Sequence, residues 1–287
     1  MILFSGATGL VGGAVVQELL QLKTKNVRAL CRNSKDASKI PTGAEVVYGD
    51  FSDLESLEKA LSGIDSAYLV CAAIPDLVEL ESNFLQACKK LGTRHVVIQS
   101  ALGAADFPKS FPSWHRQVED IARTLKVPHT ILRPNGFLQN IGTYFAPSIR
   151  TQDCFYGMIG ESRISLVDIR DIALAAALLL SLGSPRNQIF ELFGPEALSN
   201  QEIAQRISNV TGRNVTYINL SEEQILQGMV GAGIPGWRAR AIAELDEYYL
   251  SGKGAGSDDV LQKLIGRSPR TLDAYLAENV SVFDQPK

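Results

Sequence analysis

The chain has 287 residues, of which 45% are hydrophobic and 21% are charged, and its formal net charge is −3. These values are typical of a globular protein that buries a substantial core. With so little net charge and no run of Lys and Arg, the sequence excludes the basic field that nucleic-acid binding requires.

Four scattered cysteines and one apolar segment indicate whether the protein binds a metal, which compartment it occupies and whether it spans a membrane. The cysteines form no Cys-x-x-Cys pair and no His cluster accompanies them, so we expect no metal site and thiols in a reducing compartment. Ile172 to Leu182 is strongly apolar but only about half as long as a membrane-spanning helix. No secretory leader precedes the first apolar run, so we expect a cytoplasmic protein without a membrane partner. The cysteines are Cys31, Cys71, Cys88 and Cys154.

The first thirteen residues predict a strand, a glycine turn and a helix in immediate succession. After the opening apolar run, Gly6, Gly9 and Gly12 lead into Leu10 to Leu22, which has a helical period. Because Gly6 and Gly9 lack a Cβ, backbone N–H groups and the positive end of the helix dipole can approach a pyrophosphate, whereas Gly12 lets the helix pack closely on the strand. This predicts a dinucleotide site; a purely structural turn is the alternative. The expected diphosphate-binding residues are Gly6, Thr8, Gly9, Leu10 and Val11.

The residues after the second predicted strand, Val27 to Cys31, indicate which dinucleotide binds. An acidic residue there would accept hydrogen bonds from the adenosine ribose, whereas a guanidinium can clamp a 2′-phosphate. Arg32, with Lys35 nearby, therefore favours NADP over NAD. The alternative is that Arg32 is a solvated loop charge.

Two further strand ends extend the predicted cofactor site. Asp50 and Phe51 follow the third strand, where the adenine would lie, although Asp50 has the alternative role of binding loop amides. Small side chains after the fourth strand would let a ribose and diphosphate cross the strand ends, or would pack tightly in a core. These residues are Ala72, Ala73 and Ile74.

The alternation of strands and helices predicts an α/β fold with a doubly wound parallel sheet of Rossmann type. Ligands of such sheets bind beyond the carboxyl ends of the strands. Ser100 and Ala101 end the fifth strand, Arg94 to Gln99, so we expect both at the cofactor, with Ser100 facing the nicotinamide.

Motifs in the second half resemble a known family. They are His115-Arg-Gln-Val-Glu119 on a helix predicted from Trp114 to Lys126, Thr130-Ile-Leu-Arg-Pro134, Phe137-Leu-Gln-Asn140 and Gly266-Arg-Ser-Pro-Arg-Thr271. Together they resemble the NmrA-like branch of the atypical short-chain dehydrogenase/reductases over nearly the whole chain. That branch includes NADPH-dependent quinone and triphenylmethane reductases and also NADP-sensing regulators that do no chemistry.

The resemblance implies a domain organisation. Residues 1–135 would form the NAD(P)-binding domain, and 136–287 would mostly form a smaller substrate-binding part, with some strands and helices returning to the first. Phe137 would bind the cofactor. The predicted substrate-binding residues are Asn135, Asn140, Tyr144, Phe145, Tyr156 and Trp237, although most of the aromatic residues have the alternative role of core packing. Gly231, Gly233 and Gly236 would give a mobile lid or a tight helix connection.

The candidate catalytic residue is His115. Ordinary short-chain dehydrogenases use a Tyr-x-x-x-Lys pair on the helix after the fifth strand, but here that helix has no tyrosine. The only literal match, Tyr249 to Lys253, lies far down the chain, and we interpret it as chance. His115 has three possible roles: proton donor, ligand of the cofactor or substrate, and structural residue.

These observations predict an NADPH-dependent reductase that transfers hydride to a flat conjugated small molecule: a quinone, an imine or iminium, or an enone. Such an acceptor does not strictly require an acid, because the cofactor carries the electrons and geometry supplies most of the rate. The alternatives are a non-catalytic NADP(H)-sensing regulator and a nucleotide-sugar epimerase-like enzyme. The sequence does not indicate an oligomeric state.

Overall fold

The structure is a computed structural model that describes residues 1–181, 187–257 and 259–285. The chain divides into two compact units. The first unit is Met1–Ala105, Pro112–Pro134 and Ile169–Leu192; the second is Asp106–Phe111, Asn135–Asp168 and Phe193–Lys287.

The strands and helices follow one another along both units. The strands are β1 (Ile2–Phe4), β2 (Val27–Cys31), β3 (Glu45–Tyr48), β4 (Ser66–Leu69), β5 (His95–Gln99), β6 (His129–Pro134), β7 (Cys154–Gly157), β8 (Arg163–Ile164), β9 (Ile189–Leu192), β10 (Leu198–Ser199) and β11 (Thr216–Asn219). The helices are α1 (Leu10–Gln21), α2 (Leu54–Leu61), α3 (Leu77–Leu91), α4 (Ser110–Thr124), α5 (Ala146–Gln152), α6 (Ile169–Ser181), α7 (Asn200–Thr211), α8 (Glu222–Gly231), α9 (Gly236–Leu250), α10 (Val260–Ile265) and α11 (Leu272–Asn279). Shorter helical turns lie at Ser34–Lys39, Ile141–Phe145 and Val280–Phe283.

The first unit is a seven-stranded parallel sheet in the order β3-β2-β1-β4-β5-β6-β9. Strands of such a sheet are covered on both faces, which explains why β1, β4 and β5 are buried along their whole length. The strand order reverses at β1, because β2 and β4 lie on either side of it. The predicted doubly wound parallel sheet is confirmed.

Helices α1 and α6 pack closely in the first unit. Valine and leucine side chains of α1 are buried, and α6 contributes a run of buried alanines, which lets the backbones approach. The apolar run predicted from Ile172 to Leu182 forms α6, which ends at Ser181; Leu182 lies outside the described residues. No helix within residues 1–181, 187–257 and 259–285 is both long and apolar enough to cross a membrane.

The residues at the amino ends of α2, α7 and α4 explain where these helices begin. Asp53 caps α2 by accepting hydrogen bonds from the backbone N–H groups of Glu55 and Ser56. At α7, Ser199 and Glu202 form the predicted capping box. Helix α4 begins at Ser110 and not at the predicted Trp114. The predicted start was wrong because Pro112 is tolerated in the first turn, where its missing N–H would have no helical partner.

The second unit has its own core beside two small sheets. β10 pairs antiparallel with β8, and β11 pairs parallel with β7. Leu138, Ile141, Ile203 and Leu276 are buried in one cluster with Phe155. Helix α8 ends at Gly231 and α9 begins at Gly236, so the glycine-rich stretch forms a short connection between the two helices.

A buried charge network ties α4 to the sheet of the first unit. The guanidinium of Arg133 donates from Nε and Nη2 to the two carboxylate oxygens of Glu119, at 2.9 and 2.7 Å. The Ser100 hydroxyl donates to Oε1 of Glu119 at 2.6 Å. Glu119 is wholly buried and Arg133 nearly so. Burial opposes ionisation of Glu119, but the hydrogen bonds from Arg133 and Ser100 outweigh it and hold the pKa of Glu119 below its usual value.

Removing the positive partner of this pair should destabilise the first unit. Arg133→Met removes the two-pronged partner of the buried Glu119 carboxylate and leaves only Arg123, which donates to Oε2 of Glu119 at 2.9 Å, as a cation beside it. The free energy of unfolding at pH 7, measured by chemical denaturation, should therefore fall by about 3 kcal/mol, the lower end of the range for breaking a buried ion pair. Because the pKa of Glu119 is lowered in the folded wild type, this contribution is present above the unfolded pKa of about 4.3 and is lost in more acidic solution. The difference in free energy of unfolding between Arg133→Met and the wild type should therefore become smaller in acidic solution.

The matched control is Arg116→Met, which removes the exposed ion pair between Arg116 and Asp120 on the same helix. Arg116→Met should lower the free energy of unfolding by less than about 1 kcal/mol. Equal costs for the two variants would show that the buried network does not stabilise the fold.

Candidate functional site

The turn between β1 and α1 has the geometry of a dinucleotide cradle. Gly6 has φ +60°, and a Cβ built on it would lie 2.7 Å from Cγ1 of Val70. The hydroxyl of Ser5 accepts a hydrogen bond from the N–H of Val70 at 2.8 Å, which fastens the start of this turn to the end of β4. Only glycine meets both demands at position 6, the left-handed backbone and the lack of space.

Gly12 sets how closely α1 approaches the turn. A Cβ at this position would lie 2.3 Å from the carbonyl oxygen of Gly6 and 2.9 Å from that of Ser5. Those neighbours are backbone atoms that no side-chain rotation can move. The close approach of helix and strand expected from the glycine spacing is therefore present.

The amino end of α1 is left open. Gly9 is the N-cap, and no side chain hydrogen-bonds the first turn there. Gly6, Thr8 and Gly9 are exposed, and Leu10 is 67% exposed, whereas Val11 is buried. Free N–H groups and the positive end of the helix dipole suit a pyrophosphate. The described residues therefore fit the diphosphate of a dinucleotide.

Arg32 lies at the end of β2 with its side chain exposed, and Lys35 is exposed nearby. Asn33 caps the following helical turn by accepting a hydrogen bond from the N–H of Asp36. Asp50 accepts hydrogen bonds from the N–H and the hydroxyl of Ser52, at 2.9 and 2.7 Å. These bonds lower the pKa of Asp50, and the charge of Arg32 adds to the effect. Arg32 therefore lies near Asp50 and remains available to an anion.

The other residues predicted for the adenosine side lie in the same unit. Phe51 packs on Phe84 with 5.2 Å between ring centroids, and its carbonyl accepts a hydrogen bond from Asn83. After β4, Ala72 and Ala73 are exposed and Ile74 is half-buried. A fixed Phe51 and small, open residues after β4 leave room for a ligand at these strand ends.

Ser100 was expected to face the nicotinamide, but its hydroxyl is directed to Glu119. It donates to Glu119 in the buried network, and the residue is 3% exposed. Ala101 is half-buried. The hydroxyl is thus engaged within the first unit, and contact of Ser100 and Ala101 with a cofactor stays a prediction.

His115 lies on α4 one turn before Glu119. Its Nδ1 atom is buried and has no hydrogen-bond partner among the described residues. Burial lowers the pKa of His115 to about 4, and the charge of Glu119 only partly opposes this shift. At neutral pH the ring is therefore a neutral imidazole, which has one donor and one acceptor nitrogen and an open hydrogen-bonding position.

The loop after β6 belongs to the second unit and is tightly held. The amide of Asn135 donates to the carbonyls of Ser165 and Gly254, at 3.1 and 2.8 Å, and Asn135 is 2% exposed. A Cβ at Gly136 would lie 3.2 Å from the hydroxyl oxygen of Tyr249. Phe137 is half-buried and pairs with Val167 in an isolated bridge. Asn135 thus has a structural role that its sequence did not reveal, and its contact with substrate stays a prediction.

The remaining predicted substrate residues have different surroundings. Phe145 stacks on Phe155 with 4.3 Å between centroids, so it packs on the core of the second unit. Tyr144, Tyr156 and Trp237 are 46%, 37% and 40% exposed. The Tyr144 hydroxyl accepts a hydrogen bond from Arg238. Asn140 is half-buried at the start of the π-helical turn and makes no capping hydrogen bond there.

The sequence analysis did not predict the surroundings of several charged residues. The buried contact between Glu119 and Arg133 joins residues on a helix and a later strand, and no local pattern indicates it. Asp246 is one of several acidic residues on α9, and only the helical period would have placed it beside buried alanines. Lys253 forms an ion pair with Asp106, so its amine faces a carboxylate.

No group of three or more His, Cys, Asp or Glu side chains is placed to hold a metal ion within the described part of the chain. All four cysteines are free thiols. The described residues thus offer a nucleotide cradle and an uncharged imidazole as their chemical features.

Fold and cradle define a nucleotide-binding α/β protein, and comparison with known proteins gives the family. A model of the NmrA-like family matches residues 1–276, so the chain belongs to that family, as its motifs predicted. The NAD(P)H azoreductase of Xenophilus azovorans is 33% identical over 285 residues, covering 99% of both chains.

Two solved structures are also similar. The NADPH-dependent quinone oxidoreductase of Escherichia coli, complexed with NADPH, is 27% identical with a TM-score of 0.89, covering 98% of this chain and 99% of that one. The triphenylmethane reductase of Citrobacter sp., complexed with NADP(H), is 27% identical with a TM-score of 0.88, covering 97% and 99%.

Adding one methyl group at Gly12 should disrupt the cradle. Gly12→Ala forces α1 away from the backbone of Gly6 and Ser5, and overpacking of this kind costs about 1–3 kcal/mol in chemical denaturation. Gly228→Ala on α8 is the control, since nothing lies within 4 Å of its added Cβ. That variant should be as stable as wild type or up to about 1 kcal/mol more stable. Equal stability of Gly12→Ala and wild type would contradict the close approach.

Proposed function

We propose that this protein is an NADPH-dependent reductase of flat, conjugated small molecules. The observation that carries the proposal is the open amino end of α1 beside Gly6 and Gly12, with Arg32 exposed at the end of the neighbouring strand. An azoreductase, a quinone oxidoreductase and a triphenylmethane reductase among its relatives support it. The four free thiols support a reducing, cytoplasmic compartment.

The residues of the first unit bind the cofactor in this proposal. The N–H groups of the first turn of α1 hold the diphosphate, and the guanidinium of Arg32, with Lys35, holds the 2′-phosphate. When bound, NADPH supplies a hydride. Ala72 and Ala73 leave the strand ends open for the ribose, because neither has a side chain beyond Cβ.

His115 is a hydrogen-bonding residue in this proposal. A neutral ring with an unpartnered nitrogen can bind a nicotinamide ribose or a substrate oxygen, but it is a poor source of a proton at neutral pH. Of the roles considered for His115, binding of cofactor or substrate therefore fits its surroundings best.

What the relatives act on supports this substrate class. Azo compounds, quinones and triphenylmethane dyes are conjugated and largely planar, and each accepts a hydride without prior activation of an alcohol. Exposed aromatic rings in the second unit suit such a molecule, because an aromatic face stacks on a planar conjugated system. The rings are those of Tyr144, Tyr156 and Trp237.

Turnover is the test that separates a reductase from a sensor. Purified protein mixed with NADPH and a panel of quinones, azo dyes and triphenylmethane dyes should oxidise the cofactor, measured by absorbance. His115→Ala should lower kcat/KM about tenfold, the effect of about 1.4 kcal/mol of lost transition-state binding. Tight NADPH binding with no oxidation across the panel would identify a sensor.

Arg32→Ala should change which dinucleotide binds. Loss of the guanidinium should raise the Kd for NADPH at least tenfold, by about 1.4 kcal/mol, and leave the Kd for NADH unchanged, as measured by calorimetry. Lys39→Ala is the control, because Lys39 is exposed and paired with Asp36. An equal loss of affinity for both dinucleotides would contradict recognition of the 2′-phosphate by Arg32.

A further inference from the structure

The first unit has a cavity of about 380 Å³ at the amino ends of two of its strands. Its lining comes from the last turn of α3, from the connection between α3 and β5 and from the connection between α4 and β6. The nucleotide cradle instead follows the carboxyl end of β1. Because β1, β4, β5 and β6 are parallel, the cavity and the cradle lie at opposite ends of the strands.

Three cationic side chains line this cavity, and no carboxylate lines it within the described part of the chain. Lys89 lies in the last turn of α3, Arg94 immediately precedes β5, and Lys126 follows α4. All three residues are exposed. Lys89 and Lys126 form no ion pair with any residue of 1–181, 187–257 or 259–285. Arg94 lies 3.6 Å from Asp65, and exposed pairs of this kind attract each other weakly. The cavity therefore carries an excess of positive charge.

Cations at the carboxyl end of a helix often bind its last carbonyls or offset its dipole. Here backbone groups already bind carbonyls of both helix ends. The N–H of Thr93 donates to the carbonyl of Cys88 at 3.0 Å, and the N–H of Val127 donates to the carbonyl of Ala122 at 3.1 Å. Each helix end carries about half a negative charge, so α3 and α4 together offset about one of the three positive charges. The remaining charge is available to a ligand.

Lys126 has a backbone conformation that favours glycine. Its φ is +55°, in the left-handed region, and at the corresponding position after α3 the chain has Gly92 with φ +70°. A Cβ is unfavourable in this conformation, and helices that end in this way mostly have glycine at this position. The chain thus has a lysine where the backbone alone would favour glycine. Residues held in such conformations cluster at ligand-binding positions.

A buried hydroxyl belongs to the same lining. Thr93 is 3% exposed, and its Oγ1 atom is buried without a hydrogen-bond partner among the described residues. The Cys88 thiol lies beside it, but a thiol is only a weak hydrogen-bonding group. A buried hydroxyl without a full partner is costly to the fold. Its O–H group suits a ligand that brings an acceptor oxygen.

The charges and the size of the cavity indicate the class of ligand. A phosphate monoester carries about 1.5 to 2 negative charges near pH 7 and has three acceptor oxygens. A guanidinium binds phosphate oxygens in a fork, and ammonium groups add point charges. A carboxylate has one charge and two oxygens, so it would engage fewer of the three cations. The volume of about 380 Å³ lies within the range of small-molecule sites, roughly 300–1,000 Å³.

We propose that this cavity is a binding site for a small phosphorylated molecule. The guanidinium of Arg94 and the ammonium groups of Lys89 and Lys126 bind the phosphate, and the Thr93 hydroxyl is a further donor. The site lies apart from the nucleotide cradle and does not depend on the proposed reductase function. Occupation of the cavity should therefore leave the Kd for NADPH unchanged.

Nuclear magnetic resonance with glycerol 3-phosphate tests the site, and glycerol is the uncharged control ligand. The amide shifts of nitrogen-15-labelled protein should change at residues 88–94 and 126–127, with a Kd at or below about 1 mM, and should not change with glycerol. A phosphate held at the cradle would instead shift the amides of residues 6–12. Shifts confined to those residues, or no shifts with either glycerol 3-phosphate or inorganic phosphate, would overturn the proposal.

Two variants assign the binding to the cavity. Arg94→Gln should raise the Kd for glycerol 3-phosphate about tenfold, because the fork is lost. Lys126→Gly should raise it about fivefold without lowering the melting temperature, because glycine adopts the left-handed conformation more readily. The control is Lys25→Gln, which removes an exposed lysine just before β2, at the same end of the strands, and should change the Kd less than about twofold. An unchanged Kd in Lys126→Gly, or an equal loss in Lys25→Gln, would contradict a phosphate site in this cavity.

Discussion

The close approach of α1 to β1 is the constraint on which the first unit depends. The carbonyl of Gly6 lies where a Cβ on Gly12 would be, so helix and strand meet with no side chain between them. The same contact leaves the amino end of α1 uncapped at the end of the central strand. A single packing requirement therefore produces both the stability of the strand–helix junction and an anion-binding cradle.

The charged network around Glu119 has a comparable double effect. It fixes α4 on β5 and β6, and it places a negative charge one turn from His115. That charge is too weak to offset the burial of the ring, so the imidazole stays neutral. Of the roles that the sequence leaves open for His115, hydrogen bonding therefore fits this neutral ring better than proton donation.

Asp246 and His115 show how burial shifts the pKa of an ionisable side chain. An imidazole ordinarily exchanges its proton near neutrality, and a carboxyl ordinarily loses its proton well below that range. Here burial lowers the pKa of the His115 imidazole to about 4 and raises the pKa of the Asp246 carboxyl to about 7. At neutral pH the ring is therefore uncharged, whereas the carboxyl is protonated in about half of the molecules.

The sequence by itself determined the parallel sheet, the glycine cradle and the family, because these depend on local periodicity, on spacing of a few residues and on short motifs. It also indicated Arg32 as the residue beyond β2. The tertiary structure decided the rest: that Ser100 binds Glu119, that Asn135 is held by two backbone carbonyls and that Phe145 packs in a core. These outcomes depend on contacts between residues far apart in the chain, and burial, which sets each pKa, exists only once those contacts form.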